Sequence, residues 1–501
     1  MYLFTSVFLN FPLPRGRIVL YYIIIPTKLP PQKSAAGGLN VPRNYGIIYA
    51  TMKNKILKSL VLFASLALLG SACANPKNVI LFIGDGMSTP QRMTADEFAR
   101  KTGLPPLVGN RLSHQATTRT CSASSLVTDS AAAATAIACG EKTNNGTIGL
   151  NAKDERLESM AEVAHKHGKK VGIVTSVTIN HATPAGFYGH RKGRGDGYGL
   201  GLDLLASGFE YFAGGGLSEH NDKNHKEYRG DIYDLAQNEA GYNFAKCNRA
   251  KFDTLKPTAD KPKVWYVASE DCMPYSIDAN FWKGVPTLAE LTAKGLEILN
   301  NSNGFFMMVE GGKIDWAGHA NDAATNLRDV LALDDAVKVA LAFQKKNPDT
   351  LIVVTGDHET GGMTMGFAGT GYAFYMDRLA NQKCSTDALG DYLHREKPAD
   401  LKAAAPFLAA NFGLKLEGNA SKDPMVLTGA EKAELEKAFP NEQKFITAVK
   451  NIFSHKCGIG WTSGAHTALP VLTTAEGPGA ERFTGFIDNT DIAKILKDLL
   501  K

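Results

Sequence analysis

The sequence predicts an α/β fold: a three-layer α/β/α sandwich around a large, mostly parallel sheet, with a helical insertion near the C-terminal third. Two observations predict it. Three short apolar runs, far apart in the chain, each stop at an acidic residue beside glycine, and strand-like and helix-like segments alternate between them. In a doubly wound parallel sheet, ligands bind outside the carboxyl ends of the strands, so acids placed there would converge.

The first run, Asn78–Ile83, leads into Gly84-Asp85-Gly86-Met87. The second, Gly304–Val309, is followed by Glu310-Gly311-Gly312-Lys313-Ile314-Asp315 and then Trp316-Ala317-Gly318-His319. A third, Leu351–Thr355, ends in Gly356-Asp357-His358-Glu359-Thr360-Gly361-Gly362. Further strands are expected over Lys169–Ser176, Gly208–Ala213 and Val264–Ala268, and helices over Leu157–His167, Pro286–Asn300 and Ala323–Gln344. From about Ala373 to His455 the composition turns charged and helix-prone, with Leu427-Thr428-Gly429-Ala430-Glu431 as a helix start, and this segment is read as an insertion that caps the site.

Between the first two runs lies Thr128-Asp129-Ser130-Ala131-Ala132-Ala133-Ala134-Thr135-Ala136, a serine at the mouth of an alanine-rich helix. Unpaired N–H groups and the positive dipole end suit an anion there, although a serine at such a place is commonly only a cap. Asp129 is expected to turn outward or to face a ligand. No histidine lies nearby in sequence to act as a base for Ser130, so a metal is the natural activator. Carboxylates gathered at one sheet end repel one another unless cations neutralise them. Asp and Glu oxygens with imidazole nitrogens suit zinc, and all-oxygen sets favour magnesium. Asp315 and His319 stand four apart, on one face of any helix that starts there, and His466 follows in Trp461-Thr462-Ser463-Gly464-Ala465-His466-Thr467.

These motifs, in this order from about Asn78 to about Thr467, resemble the alkaline phosphatase family of bacterial secreted enzymes, metal-dependent phosphomonoesterases. The resemblance implies an alkaline phosphatase-like fold and hydrolysis of small phosphate monoesters to alcohol and inorganic phosphate through a phosphoserine intermediate. By resemblance, Ser130 is the nucleophile. One zinc is held by Asp315, His319 and His466, and a second by Asp85, Asp357 and His358. A magnesium-type site takes Asp85, Glu310 and Thr183 of His181-Ala182-Thr183-Pro184, with His181 beside it. The family's phosphate-clamping arginine falls on Arg194, with Arg191 as the alternative in Arg191-Lys192-Gly193-Arg194-Gly195. Enterobacterial-type members have Asp in place of His181 and Lys in place of Trp316, while animal members have His at both. The third metal and the grip on phosphate are therefore expected to be altered in this chain. Rival readings are a phosphodiesterase or sulfatase of the same superfamily, or a non-catalytic zinc- or phosphate-binding protein. The Cys/Ser-x-Pro-x-Arg motif of sulfatases is absent around Ser130. A homodimer is the family's usual assembly.

The net charge of +5 misleads. Eight of the 55 basic residues and none of the 50 acidic ones lie in residues 1–74, leaving 47 bases against 50 acids and no reason to propose nucleic-acid binding. Met52-Lys53-Asn54-Lys55-Ile56-Leu57-Lys58, the apolar Ser59–Leu69 and Ala72-Cys73-Ala74 make a signal peptide over 52–74, cleaved before Asn75. It implies a periplasmic or secreted protein, with lipid anchoring at Cys73 as the alternative. Residues 1–51 are read as an upstream over-extension without structure, and 75–501 as one domain carrying the insertion at about 373–455. Six cysteines remain beyond Cys73, and Cys247–Cys272 is the favoured local disulfide.

Overall fold

The computed structural model describes residues 75–501 and, apart from them, the strands Tyr2–Pro12 (β1) and Ile18–Lys28 (β2). These two strands pair antiparallel, from Tyr2 opposite Lys28 to Pro12 opposite Ile18, within the segment expected to lack structure. The signal-peptide reading of 52–74 lies outside the described residues.

Within 75–501 the main strands are Asn78–Gly84 (β3), His114–Arg119 (β4), Lys170–Thr178 (β5), Tyr211–Gly215 (β6), Tyr242–Lys246 (β7), Lys263–Val267 (β8), Phe305–Gly311 (β9) and Thr350–Gly356 (β10). Two-residue strands follow at Glu359–Thr360 (β11), Thr364–Met365 (β12), Ile459–Gly460 (β13) and His466–Thr467 (β14), then Val471–Glu476 (β15) and Gly485–Asp488 (β16). Ten strands make one sheet in the order β16-β4-β15-β10-β3-β9-β5-β6-β8-β7. Only β15 runs against the rest, antiparallel to both β10 and β4, so the sheet is mostly parallel as expected.

The three apolar runs are its centre. Every residue of β3, β9 and β10 is buried, the pattern of strands covered on both faces. Their ends are flush: Gly84 pairs with Gly356 on one side and Gly311 on the other, while Glu310 lies between Ile83 and Thr175. Side chains of β3 alternate between two cores. Ile80 and Phe82 join one with residues of the helices Thr89–Thr102, Leu288–Leu299 and Ala323–Gln344. Val79, Leu81 and Ile83 join the other with the helices Ser130–Cys139, Met160–Lys166 and Asn489–Leu499. This is the three-layer sandwich.

All ten residues of the helix Ser130–Cys139 are buried, and its alanines permit close packing. A Cβ added at Gly186 would stand 2.8 Å from the Ala134 Cβ. The segment read as an insertion contributes helices Met376–Leu379, Thr386–Glu396, Leu401–Phe412, Gly429–Ala438 and Glu442–Cys457. Thr428 caps the fourth in a box with Glu431, and Leu389, Leu408, Phe445 and Val449 extend the first core rather than forming their own. The insertion returns the chain to its point of departure, where β12 pairs with β13 and β11 with β14.

The expected Cys247–Cys272 disulfide is not formed. All six cysteines of this unit are free thiols. The Cys247 Sγ lies 3.8 Å from Glu270 and the Cys272 Sγ 3.7 Å from the Lys313 ammonium. Cys139, Cys384 and Cys457 are buried, and burial pushes each of these three thiols well up.

Candidate active site

Ser130 is the first residue of its helix and Asp129 is the cap: Asp129 Oδ1 accepts from the Ala132 amide at 3.0 Å. Capping by the aspartate leaves the Ser130 hydroxyl free, and its Oγ lies 3.2 Å from His358 Nε2. Asp129 Oδ2 accepts from the Gly146 amide at 3.0 Å and from Arg194 Nη1 at 3.1 Å, so this carboxylate faces the site as well as the helix end. Arg194 Nη2 donates to His181 Nε2 at 3.2 Å. Arg191 is committed elsewhere, to Asp203, Glu227 and Asp196. Of the two arginines left open by the sequence, Arg194 is the one that reaches Ser130's neighbours.

The strand ends deliver the acids. Asp85 and Asp357 follow the paired glycines of β3 and β10, and Glu310 is the penultimate residue of β9. Asp85, Asp357, Glu310 and His358 are fully buried. Gly86, at φ +69°, makes the turn possible, since an added Cβ would lie 2.7 Å from Thr360 Oγ1 and 2.9 Å from the Asp315 backbone. Asp315 and His319 occupy the helix Lys313–His319, with His319 Nε2 3.4 Å from Asp315 Oδ2. Strand β14, paired with β11, sets His466 opposite Thr360. Its Nε2 lies 3.5 Å from Asp315 Oδ1 and 3.2 Å from His319 Nε2. His181 caps the short helix Ala182–Ala185 after β5, and Thr183 donates to Asp85 Oδ2 at 3.4 Å. Three sets of ligand-type atoms converge: Asp315, His358 and His466; Asp85, Asp357 and His358; and Asp85, His181 and Glu310.

The sequence marked the acids and imidazoles but not what orients them. His319 Nδ1 and His466 Nδ1 donate to the backbone oxygens of Gly464 and Thr128, each at 2.8 Å. His358 Nδ1 faces Thr360 Oγ1 at 3.3 Å, and that hydroxyl donates to Asp315 Oδ1. In all three rings it is therefore Nε2 that faces the cluster, a lone pair in His358 and in the other two once they give up the proton they share with Asp315. Thr175 donates to Glu310 Oε2. No motif announces Thr175, which is found through its register opposite Glu310; Thr360 lies in the Gly356–Gly362 segment, where nothing in the sequence marks its hydroxyl.

The electrostatics call for cations. Asp85 Oδ1, Asp357 Oδ2 and Glu310 Oε1 are buried with no hydrogen-bond partner. Burial pushes the Glu310 carboxyl up to about 8 and Asp357 up to about 7, and burial with the charges of Asp357, Asp315 and Glu310 raises Asp85 well above the carboxylate range. Asp315 is the exception: burial raises it, but hydrogen bonds from His319 and His466 prevail and hold it well below its ordinary value. The bond to Asp315 lifts His319 to about 9. Burial, then the charge of His466, depresses His358, and burial, then Arg194, brings His181 down to about 4. Imidazole nitrogens 3.2 Å apart, beside orphaned carboxylate oxygens, are a donor set that divalent metals fit once the protons are displaced.

Fold and site together define a class: a metal-binding hydrolase of parallel α/β architecture with a serine at a buried helix mouth. Residues 76–501 match the alkaline phosphatase family. The chain is 33% identical over 437 residues to alkaline phosphatase 3 of Bacillus subtilis, covering 83% of this chain and 87% of that protein. The crystal structure of Thermus thermophilus alkaline phosphatase superposes with a TM-score of 0.73 at 29% identity, over 86% of this chain and 92% of that one. A histidine-to-aspartate variant of TAB5 alkaline phosphatase, with magnesium bound in its M3 site, does so with a TM-score of 0.62 at 26% identity, over 85% and 98%. The chain belongs to the alkaline phosphatase family and is a hydrolase of phosphate monoesters.

Proposed function

We propose that this enzyme cleaves small phosphate monoesters by transferring the phosphoryl group to Ser130 and then to water, as a homodimer exported from the cytoplasm. The observation that carries this reading is the uncapped Ser130 hydroxyl 3.2 Å from His358 Nε2, at the edge of three convergent ligand sets. Asp315, His319 and His466 would hold one zinc, and Asp85, Asp357 and His358 a second. Asp85, Glu310 and Thr183 would hold magnesium. Bound there, the metals would lower the pKa of the serine hydroxyl and of water and offset charge on the leaving oxygen.

The chain's own residues supply the rest. Helix Ser130–Cys139 would present its N-terminus and the Ser130 Oγ to the phosphoryl group. Arg194, anchored by Asp129 and His181, has further N–H groups for two non-bridging oxygens, a fork that lysine could not reproduce. Ser130 gives up its proton, which ends on the departing alcohol, and the Oγ–P bond forms as the ester O–P bond breaks; water then attacks the same phosphorus, releasing inorganic phosphate and returning a proton to Ser130. Most of the acceleration comes from positioning and charge stabilisation.

Ser130→Ala tests the assignment. Turnover of a chromogenic monoester should fall by about 10³-fold or more, with zinc and magnesium content unchanged. A metal-replete alanine variant with near-normal turnover would remove Ser130 from the nucleophile's role.

A further inference from the structure

Lys313 begins the helix that carries Asp315, and its ammonium makes no ion pair with the metal-site acids but lies within electrostatic reach of Asp329 and Asp387. The residue is 4% exposed, and its ammonium makes no ion pair within 4.0 Å among the described residues. Its neighbours are the Cys272 Sγ at 3.7 Å, the Tyr275 ring centroid at 3.7 Å and the Trp316 ring centroid at 4.5 Å. A buried ammonium without oxygen acceptors is costly unless other groups offset it; here Asp329 and Asp387 act on it from beyond ion-pair distance, and two aromatic faces make the direct contacts. Trp316 in turn meets His181 edge-on, with centroids 6.1 Å apart and planes at 69°. His181 accepts the hydrogen bond from Arg194.

We propose that Lys313 is a positioning residue for the phosphate clamp. Held between Tyr275 and Trp316, its ammonium fixes the plane of the indole, the indole fixes the His181 ring, and His181 sets the Arg194 fork. This rests on the reading of Arg194 as the group that grips phosphate. The helix start does not depend on the ammonium, because the Lys313 amide is anchored separately on Ser176 Oγ at 3.3 Å. Arg194 also keeps its second anchor on Asp129, so the expected effect is partial.

The test uses the metal-loaded enzyme, with inorganic phosphate as the calorimetric probe and a monoester for kinetics. Lys313→Met should weaken phosphate binding roughly three- to tenfold and raise KM more than it lowers kcat, with metal content unchanged. Lys313→Arg, which restores a cation between the rings, should recover most of the loss. In a Trp316→Leu background, Lys313→Met should cost little more, because the path through the indole is already gone. The proposal is overturned if Lys313→Met binds phosphate as the parent does, if Lys313→Arg is as weak as Lys313→Met, if the full factor recurs in the Trp316→Leu background, or if phosphate affinity falls only together with metal. Arg194→Ala separates the two readings. Normal phosphate binding by that variant refutes the clamp itself, whereas a loss there beside a silent Lys313→Met refutes only the relay.

Discussion

Stripping the metals should make the protein's stability fall as pH rises above about 7, past the range in which the depressed His181 and His358 act in the opposite sense. Glu310 and Asp357 are fully buried, with carboxyls pushed up to about 8 and about 7 from ordinary values of 4.5 and 3.8. Because the folded-state values are the higher ones, the native chain holds more protons than the unfolded chain between those limits. The stability they contribute is therefore present at low pH and lost as pH rises through about 7 and 8. From pH 6 to 9 the two groups traverse about three pK units, worth about 4 kcal/mol at about 1.36 kcal/mol per unit. At about 2.1 cal/mol/K per residue, unfolding of a domain this long has an entropy near 0.9 kcal/mol/K, so the shift is roughly 4 °C. His319, lifted to about 9, acts in the same sense but is part-exposed and is left out of the sum. Divalent ions require these groups ionised and remove the penalty, so the gap in Tm between metal-loaded and chelated protein should widen as pH rises. Calorimetric scans at pH 6, 7.5 and 9, with zinc and magnesium or with chelator, measure that gap. A gap that stays flat or narrows with rising pH would refute the account, as would a chelated Glu310→Gln variant with the parent's full slope.

Other perturbations have definite expected outcomes. Gly86→Ala forces a Cβ against Thr360 and the Asp315 backbone at a positive φ; thermal unfolding should show a loss of about 2–3 kcal/mol, and metal analysis a drop in zinc. His181 is a neutral ring whose Nε2 is taken up by Arg194, so His181→Asp should add a charged oxygen ligand beside Asp85 and Glu310 and raise magnesium occupancy. Unchanged occupancy would count against that reasoning. Trp316→Lys should return a cation to the phosphate side, and a phosphate inhibition constant no lower than the parent's would contradict it.

What could be read from the sequence was whatever each short segment determines locally. Apolar runs buried on both faces announce central parallel strands, and acids following them must lie at one sheet end. The long helix Ala323–Gln344 and the Thr428–Glu431 capping box were equally plain. Strands β4, β7 and β16, toward the sheet's two edges, and β15 escaped the reading. The polar His114–Arg119 is a strand only because β15 and β16 lie beside it. Residue type also named the acids, imidazoles and serine. It could not say that Asp129 rather than Ser130 caps the helix, that Arg194 rather than Arg191 turns inward, or that Cys247 and Cys272 have separate partners. Nor could it say that Thr128 and Gly464 carbonyls orient two histidines. Those outcomes depend on which backbone and side-chain groups meet across hundreds of residues, and only packing the sheet, its helices and the returning insertion together decides them.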